Sequence, residues 1–499
     1  MHSPPLSPIL DATRGKAKRA MENEPSAVGQ KKAGNGLIDL FALSSSLQAM
    51  AKQVPTLYLT LFMTDYLRIS PVAMGTAMLM AKTVDSVLAL FVAVIIEKVP
   101  LRHGKYLSWL RLLTVTIFFG NCMQLLDTTA FIADPNGRLA VVCVFYVVFH
   151  ASLNLHSAAR ASMIPRLAGA DQEVRKRITA RQAQLRAAAS IVSSAVTLPA
   201  VELVQRTTGS ESAGYFIVAV VFSLCFAVCN VCFIRLAAPF DPPDAPGVKR
   251  KSAPTLRQMA ASLGNNRQML ILFSAFTVSG IGVQVSSGVT AYFFRCTGIF
   301  SSYTLVLTCR SVAAFLSTLI APAIAKGLGK KRALAFSWLL RAAVMLFTYL
   351  FALKSDGSPN LPVVLVAQCL GNAATNLYSI YTTIYWLDCG EYGYYQTGID
   401  NRTMAVTVMN WPNKISMTLG GSLVGYGLAW AGYHAPTEGQ AAYFDSMDRY
   451  MTLWQLIPMV TLILSALIII LGYRLTDEEA ARYARENAER ENRRAPQNV

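Results

Sequence analysis

The sequence is poor in charge. Asp, Glu, Lys and Arg make up 15% of its 499 residues, against about 25% in an ordinary soluble protein. Acid is scarcer than base: 28 Asp and Glu oppose 45 Lys and Arg, a net charge of +17. There is no GxxxxGK[ST] loop to cradle nucleotide phosphates, which argues against ATP-driven work, and no HExxH or GxSxG to suggest an enzyme. Cys225, Cys229 and Cys232 have ligand-like spacing, but no His accompanies them, so they read as small apolar helix residues and no metal is expected. The first 36 residues are polar and basic, with no apolar run that would read as a secretory signal; Met21 could serve as a start in place of Met1. With 53% apolar residues, disorder, a fibrous repeat and most soluble enzymes are excluded.

What is present is long apolar stretches. A membrane helix needs about 20 such residues. Twelve stretches qualify: 38–65, 70–96, 106–126, 139–163, 183–204, 213–234, 268–293, 302–325, 333–353, 361–387, 403–432 and 450–473. They lack the alternation of barrel strands, and over such lengths helices satisfy the backbone in lipid. With both termini placed in the cytoplasm, 31 of the 45 basic residues fall on that side, 6 on the outer side and 8 within spans. That bias is the positive-inside signature. It leaves no soluble basic domain, so nucleic acid is not an expected partner. The expectation is an all-α, multi-pass protein of the plasma (inner) membrane, with the bilayer as its surroundings, acting as a monomer.

The spans fall into two halves. A cytoplasmic tail (1–37) precedes a six-helix bundle (38–236), a polar linker (237–266), a second bundle (267–473) and a tail (474–499). The turn Leu101-Arg-His-Gly-Lys-Tyr106 after span 2 matches Gly327-Leu-Gly-Lys-Lys-Arg332 after span 8, which suggests an internal duplication. Six-plus-six repeats are the pattern of secondary transporters. The last tail alternates Glu and Arg at helical spacing and reads as a solvated helix.

Ionisable residues at membrane depth are functional candidates by default. They are Lys52, Lys82, Asp85, His150, His156, Arg160, Arg186, Arg310, Arg341 and Lys414, with Arg111 near a helix end, where it can snorkel. Lys82 and Asp85, three apart, share a helix face and can pair. Asp85 is the only acid deep within the first-half spans and the candidate proton or cation carrier. Span 4 aligns His150, Asn154 and Ser157 on one stripe, with His156 and Arg160 beside it. For Arg160 snorkelling competes with a binding role, and for each His interhelical bonding competes with one. Span 11 carries Asn410-Trp-Pro-Asn-Lys414, where proline breaks the helical ladder; Trp411 beside Lys414 can stack on a sugar-like ring or simply pack. Gln284 in span 7 and Asn372 and Tyr378 in span 10 add polar faces to a central cavity.

Thr64-Asp65, Gly75, Lys82-Thr-Val-Asp85 and Arg102-His-Gly-Lys105, together with Asp388-Cys-Gly-Glu-Tyr-Gly393, Thr397-Gly398, Lys414 and Gly432-Tyr433, resemble the glycoside–pentoside–hexuronide:cation symporters of the major facilitator superfamily. The resemblance implies twelve helices in two bundles and a symport mechanism without organic cofactor. It makes Asp85 part of the cation-coupling site, with Lys82 and Asn154 beside it. It assigns Arg186 and Lys414 to the substrate site, where Lys52, His150, His156, Ser157, Arg160, Gln284, Asn372, Tyr378 and Trp411 are further candidates. Arg102, Gly104, Lys105, Asp388 and Glu391 fall in its gating loops. The family's second helix-2 carboxylate falls on Ala89, its helix-1 sugar-binding Asp near Ala49, its helix-4 Asp on Ser157 and the stacking Trp on Ala161. Its last gate-loop acid is Tyr394 here. A sodium site wants several oxygen ligands, so a lone carboxylate suits a proton better than Na+. The surplus of cations calls for an anionic partner. The expected activity is proton-coupled uptake of a small glycoside-like or organic-anion solute of hexuronide type. An uncoupled facilitator or exchanger, a lysolipid mover and a non-transporting sensor are the alternatives.

Overall fold

The computed structural model describes residues 33–494, apart from 100, 102–103, 170, 243–260, 262, 380–381 and 399–401. Most of the linker expected at 237–266 therefore lies outside the described residues. Six long helices come first: α1 (Asn35–Asp65), α2 (Pro71–Lys98), α3 (Leu107–Met123), α4 (Pro135–Ala168), α5 (Gln172–Thr208) and α6 (Glu211–Ala237). The second half contains α7 (Arg267–Cys296), α8 (Ser302–Leu328), α9 (Lys330–Phe351), α10 (Leu361–Ser379), α11 (Thr382–Thr397), the short α12 (Arg402–Val408), and α13 (Trp411–Ala431). Then come α14 (Met447–Met451), a π-helical turn (Thr452–Leu456), α15 (Ile457–Gly472) and the terminal α16 (Asp477–Arg494).

Nine helices among the described residues are long and apolar enough to cross a membrane. Of the remaining long helices, α3 has 17 residues. Serines, glutamines and Lys52 dilute α1, and small polar residues dilute α13. Helix starts follow side-chain chemistry. Ser70, Asp134, Asp171, Ser210 and Asn266 each accept a backbone N–H from the first turn they precede, satisfying donors that the helix itself cannot. Span 11 is not one helix. It is interrupted at Met409–Asn410, directly before Trp411 and Pro412, where the ring removes a backbone donor.

Both described chain ends lie at one end of the molecule. There each half closes on itself with the same device. After α6, the fully buried Asp241 carboxylate accepts the backbone N–H groups of Tyr106 and Leu107 (both 2.7 Å) at the start of α3, and pairs with Arg166. After α15, Asp477 accepts the N–H of Lys330 (3.2 Å) at the start of α9 and pairs with its ammonium. The repeated basic turns of the sequence are the sites of these two clasps. The C-terminal helix α16 departs from its sequence reading. One face is docked rather than solvated: buried Asn487 donates to the carbonyl and carboxylate of Glu391 (2.9 and 2.8 Å), and Tyr483 packs on Tyr395.

Three helix pairs, α2–α13, α5–α8 and α1–α7, carry most of the packing between the two halves. Small residues set the closest of them. On α13, Gly425 lies against Pro71 and Gly75 of α2 in the first half, where an added Cβ would collide; within the second half, Gly420 lies as tightly against Ile281 and Gln284 of α7. Such stripes let backbones approach without a hydrophobic drive between helices. Between α5 and α8, Ser194 and Ser311 share a hydrogen bond (3.0 Å). Thr60 of α1 faces the Gly288 carbonyl of α7 (3.5 Å).

Candidate functional site

The close α2–α13 crossing brings Lys414 to Asp85. The ammonium donates to Asp85 Oδ2 (2.9 Å) and to Asn154 Oδ1 (3.2 Å), while Asn154 Nδ2 donates to Asp85 Oδ1 (2.7 Å). Three helices from both halves thus meet on one carboxylate, whose side chain is 6% exposed. The pairing with Lys82 expected from the i,i+3 spacing does not form. The Lys82 ammonium lies instead beside Gly421, in space that this residue's missing side chain leaves on α13. Thr418 links the same stretch to Ser86 (3.2 Å).

Cations surround this centre. Lys52 of α1 is solvent-accessible although enclosed by protein, as a cavity wall should be, and Lys414, Asp85 and Arg186 act on it electrostatically. His150 stacks on Tyr146 (ring centroids 4.0 Å) and feels Lys52, Lys82 and Lys414. Arg186 donates to Ser45 Oγ (3.2 Å) and is otherwise exposed. Ser157 is also exposed, Trp411 is half-buried at the helix break, and Gln284 packs where α7 touches α13.

Two candidates are turned elsewhere. His156 is fully buried and engages Gln48 (3.0 Å) and Asn230 (3.5 Å), in a polar network that runs to Thr114 inside the first bundle. Arg160 is buried against the Phe41 ring (4.1 Å) and donates to Ser44 Oγ and the Phe41 carbonyl, so it neither snorkels nor faces the Asp85 centre. Asn372 donates to the Arg310 carbonyl (3.0 Å). Tyr378 sits on α10, but its side chain lies outside the described residues, as does Arg102.

The remaining loop candidates serve the end that carries the termini. Gly104 has φ +87°, and a Cβ there would meet Asp241. Lys105 lies over the Tyr106 ring (5.5 Å). Asp388 pairs with Lys330 (2.5 Å) and Glu391 with Arg402 (3.4 Å). Sequence reasoning missed the opposite end. There Asp65, at the end of α1, accepts from Tyr433 (2.5 Å), Thr64 (2.9 Å) and Arg295 Nε (3.2 Å), and Arg295 also grips Glu211 (3.2 Å). Thr64 further meets Tyr292 (3.1 Å), and Arg68 reaches the Pro436 carbonyl. The signal was Asp65 itself, an acid at the end of an apolar run.

Comparison with known proteins agrees with this fold. The family model described as MFS/sugar transport protein matches residues 40–477. The isoprimeverose transporter of Lactiplantibacillus pentosus is 24% identical over 462 residues, 90% of this chain and 92% of that protein. The glucuronide carrier protein homolog of Escherichia coli is 22% identical over 451 residues, 88% and 92% of the two chains. In fold, the nucleoside transporter NupG superposes with a TM-score of 0.62 at 13% identity, over 88% of this chain and 100% of that one. The membrane-length helices and the match over residues 40–477 make this a multi-pass plasma-membrane transporter, and the chain belongs to the MFS/sugar transport family, within the glycoside–pentoside–hexuronide:cation symporter family.

Proposed function

We propose that the protein is a proton-coupled symporter for an anionic glycoside of hexuronide type, working as one chain with twelve crossings and both termini in the cytoplasm. The observation that carries this reading is the Asp85–Lys414–Asn154 centre, which ties α2 and α4 to α13 through one carboxylate. A proton on Asp85 removes the charge that holds Lys414, so the bond between the halves loosens when the coupling ion is aboard. Sodium fits less well: Ala89 stands where the family places a further acid, and the Lys414 ammonium already occupies the cation position beside Asp85. The anionic solute is favoured by Lys52, Lys82 and Arg186 around that single acid, because uncompensated cations in low dielectric are costly. The positive-inside count sets the orientation. Among the described residues, the hydrogen bonds and ion pairs between the halves then lie at the outer end and mid-membrane, an arrangement open to the cytoplasm.

The test is uptake of methyl β-D-glucuronide into proteoliposomes, with a pH gradient, a sodium gradient or neither. The pH gradient should drive accumulation with co-movement of protons. Asp85→Asn should cut gradient-driven uptake by about a hundredfold or more, the scale of losing a charged group's interactions in a buried site. Equal uptake with and without a pH gradient removes the coupling claim. Preference for methyl β-D-glucoside removes the anionic one.

A further inference from the structure

Apart from the Asp85 centre, the second bundle holds a partly open cavity of about 100 Å³. Its wall carries Arg310 of α8 and Arg341 of α9, both within apolar helices long enough to span a membrane, and Ser287, Asn372, Thr375 and Gln455. No acidic side chain lines it among the described residues. Arg341 donates to Thr375 Oγ1. Arg310 Nε and Gln455 Nε2 are buried donors with no acceptor. Guanidinium groups present several fixed donors and no acceptor, so on the Arg310 and Gln455 side this wall offers buried hydrogens that no described acceptor takes up. Buried donors in that state are costly until an acceptor arrives.

Size and place narrow the ligand. Whole-solute pockets measure roughly 300–1,000 Å³, so this space holds a group rather than a molecule. It borders the seam between the halves: Ser311, next to Arg310, bonds Ser194 of the first half, and Gly288, next to Ser287, meets Thr60. We propose that the Arg310–Arg341 cavity is an anion subsite that receives the carboxylate of the transported solute and distinguishes acidic from neutral glycosides. It rests on the transport reading for the solute's identity, whereas the anion chemistry rests on the cavity alone. Arginine pairs planar carboxylates in two-point fashion, which adds geometric selection to charge.

The test is binding by the purified full-length chain, using D-glucuronate, D-glucose and inorganic sulfate as probes in titration calorimetry. Glucuronate should bind at least tenfold more tightly than glucose. Arg310→Gln and Arg341→Gln should each weaken glucuronate about tenfold to a hundredfold, the scale of one lost charged hydrogen-bonding partner, and leave glucose unchanged. Arg341→Lys, which keeps the charge but not the fork, should fall between, and thermal unfolding identifies any variant that fails to fold. Wild-type affinity for glucuronate in both correctly folded Gln variants overturns the subsite, as does glucuronate binding no tighter than glucose. Sulfate binding that glucuronate cannot displace also overturns it, leaving only a counter-ion pocket. Glucuronate binding through both arginines without transport of any glycoside sinks the transport reading while the subsite stands.

Discussion

The two ends of the molecule hold charge in opposite ways. At the end that carries the termini, every described ion pair stays within one half: Arg166 with Asp241, Arg181 with Asp39, Lys330 with Asp388 and Asp477, and Arg402 with Glu391 and Glu491. At the far end, Arg295 of the second half grips Asp65 and Glu211 of the first, and Tyr433 donates to Asp65 across the same divide. The first kind of pair shapes a bundle and is indifferent to how the bundles sit. The second exists only while the far end is shut. A carrier that rocks between two states must make and break the second kind in each cycle and can leave the first alone.

The largest effect that would break this comparison lies at Asp65. Losing one partner of a buried pair costs about 3–5 kcal/mol, and here the loss falls on the shut far end alone. Asp65→Asn should shift the conformational balance by about a hundredfold or more toward the other state. Modification of Cys296, half-buried at the end of α7, by an impermeant thiol reagent added from outside should rise accordingly. Unchanged modification would show that Asp65 is no lock. Next in size, Asp241→Ala strips acceptors from the Tyr106 and Leu107 N–H groups and a partner from Arg166. It should cost about 2–3 kcal/mol, seen as a lower unfolding midpoint, with Cys296 modification unmoved; a change in that modification would erase the distinction between the ends. The smallest effect belongs to Arg181→Ala. The Arg181–Asp39 pair is 45% and 50% exposed, so its loss should stay under about 1 kcal/mol in unfolding measurements, and a larger drop would mean that surface pairs also carry the fold.

Much of this architecture could be read from composition and run length. The apolar stretches became the long helices, and Asn410-Trp-Pro marked where span 11 breaks. Asp85, Asn154 and Lys414 were each picked as charged or polar residues at membrane depth, and the structure brings them together. Their pairing was not legible, because it depends on how closely α2 and α13 approach, which Gly75 and Gly425, 350 positions apart in the sequence, decide. Spacing along one helix favoured Lys82 instead. Arg160 carries the same signals as Arg186, yet aromatic neighbours contributed by α1 and α6 draw it into the bundle. The amphipathic pattern of the C-terminal tail announced a helix but not its dock, since a polar face gives no hint that Asn487 will be covered by α11.

The Asp85–Lys414 pair has a consequence for the energy source. Empty, the centre holds one negative and one positive charge. On the proposed mechanism, the loaded carrier adds a proton and an anion, which also sum to zero. A complete cycle then carries no net charge through the bilayer. Each unit of pH difference supplies about 1.4 kcal/mol to accumulation. The roughly 2.3 kcal/mol that 100 mV would give a carrier moving one charge contributes nothing. Such a transporter is driven by acidity and is indifferent to voltage, so it would work equally well in a depolarised cell.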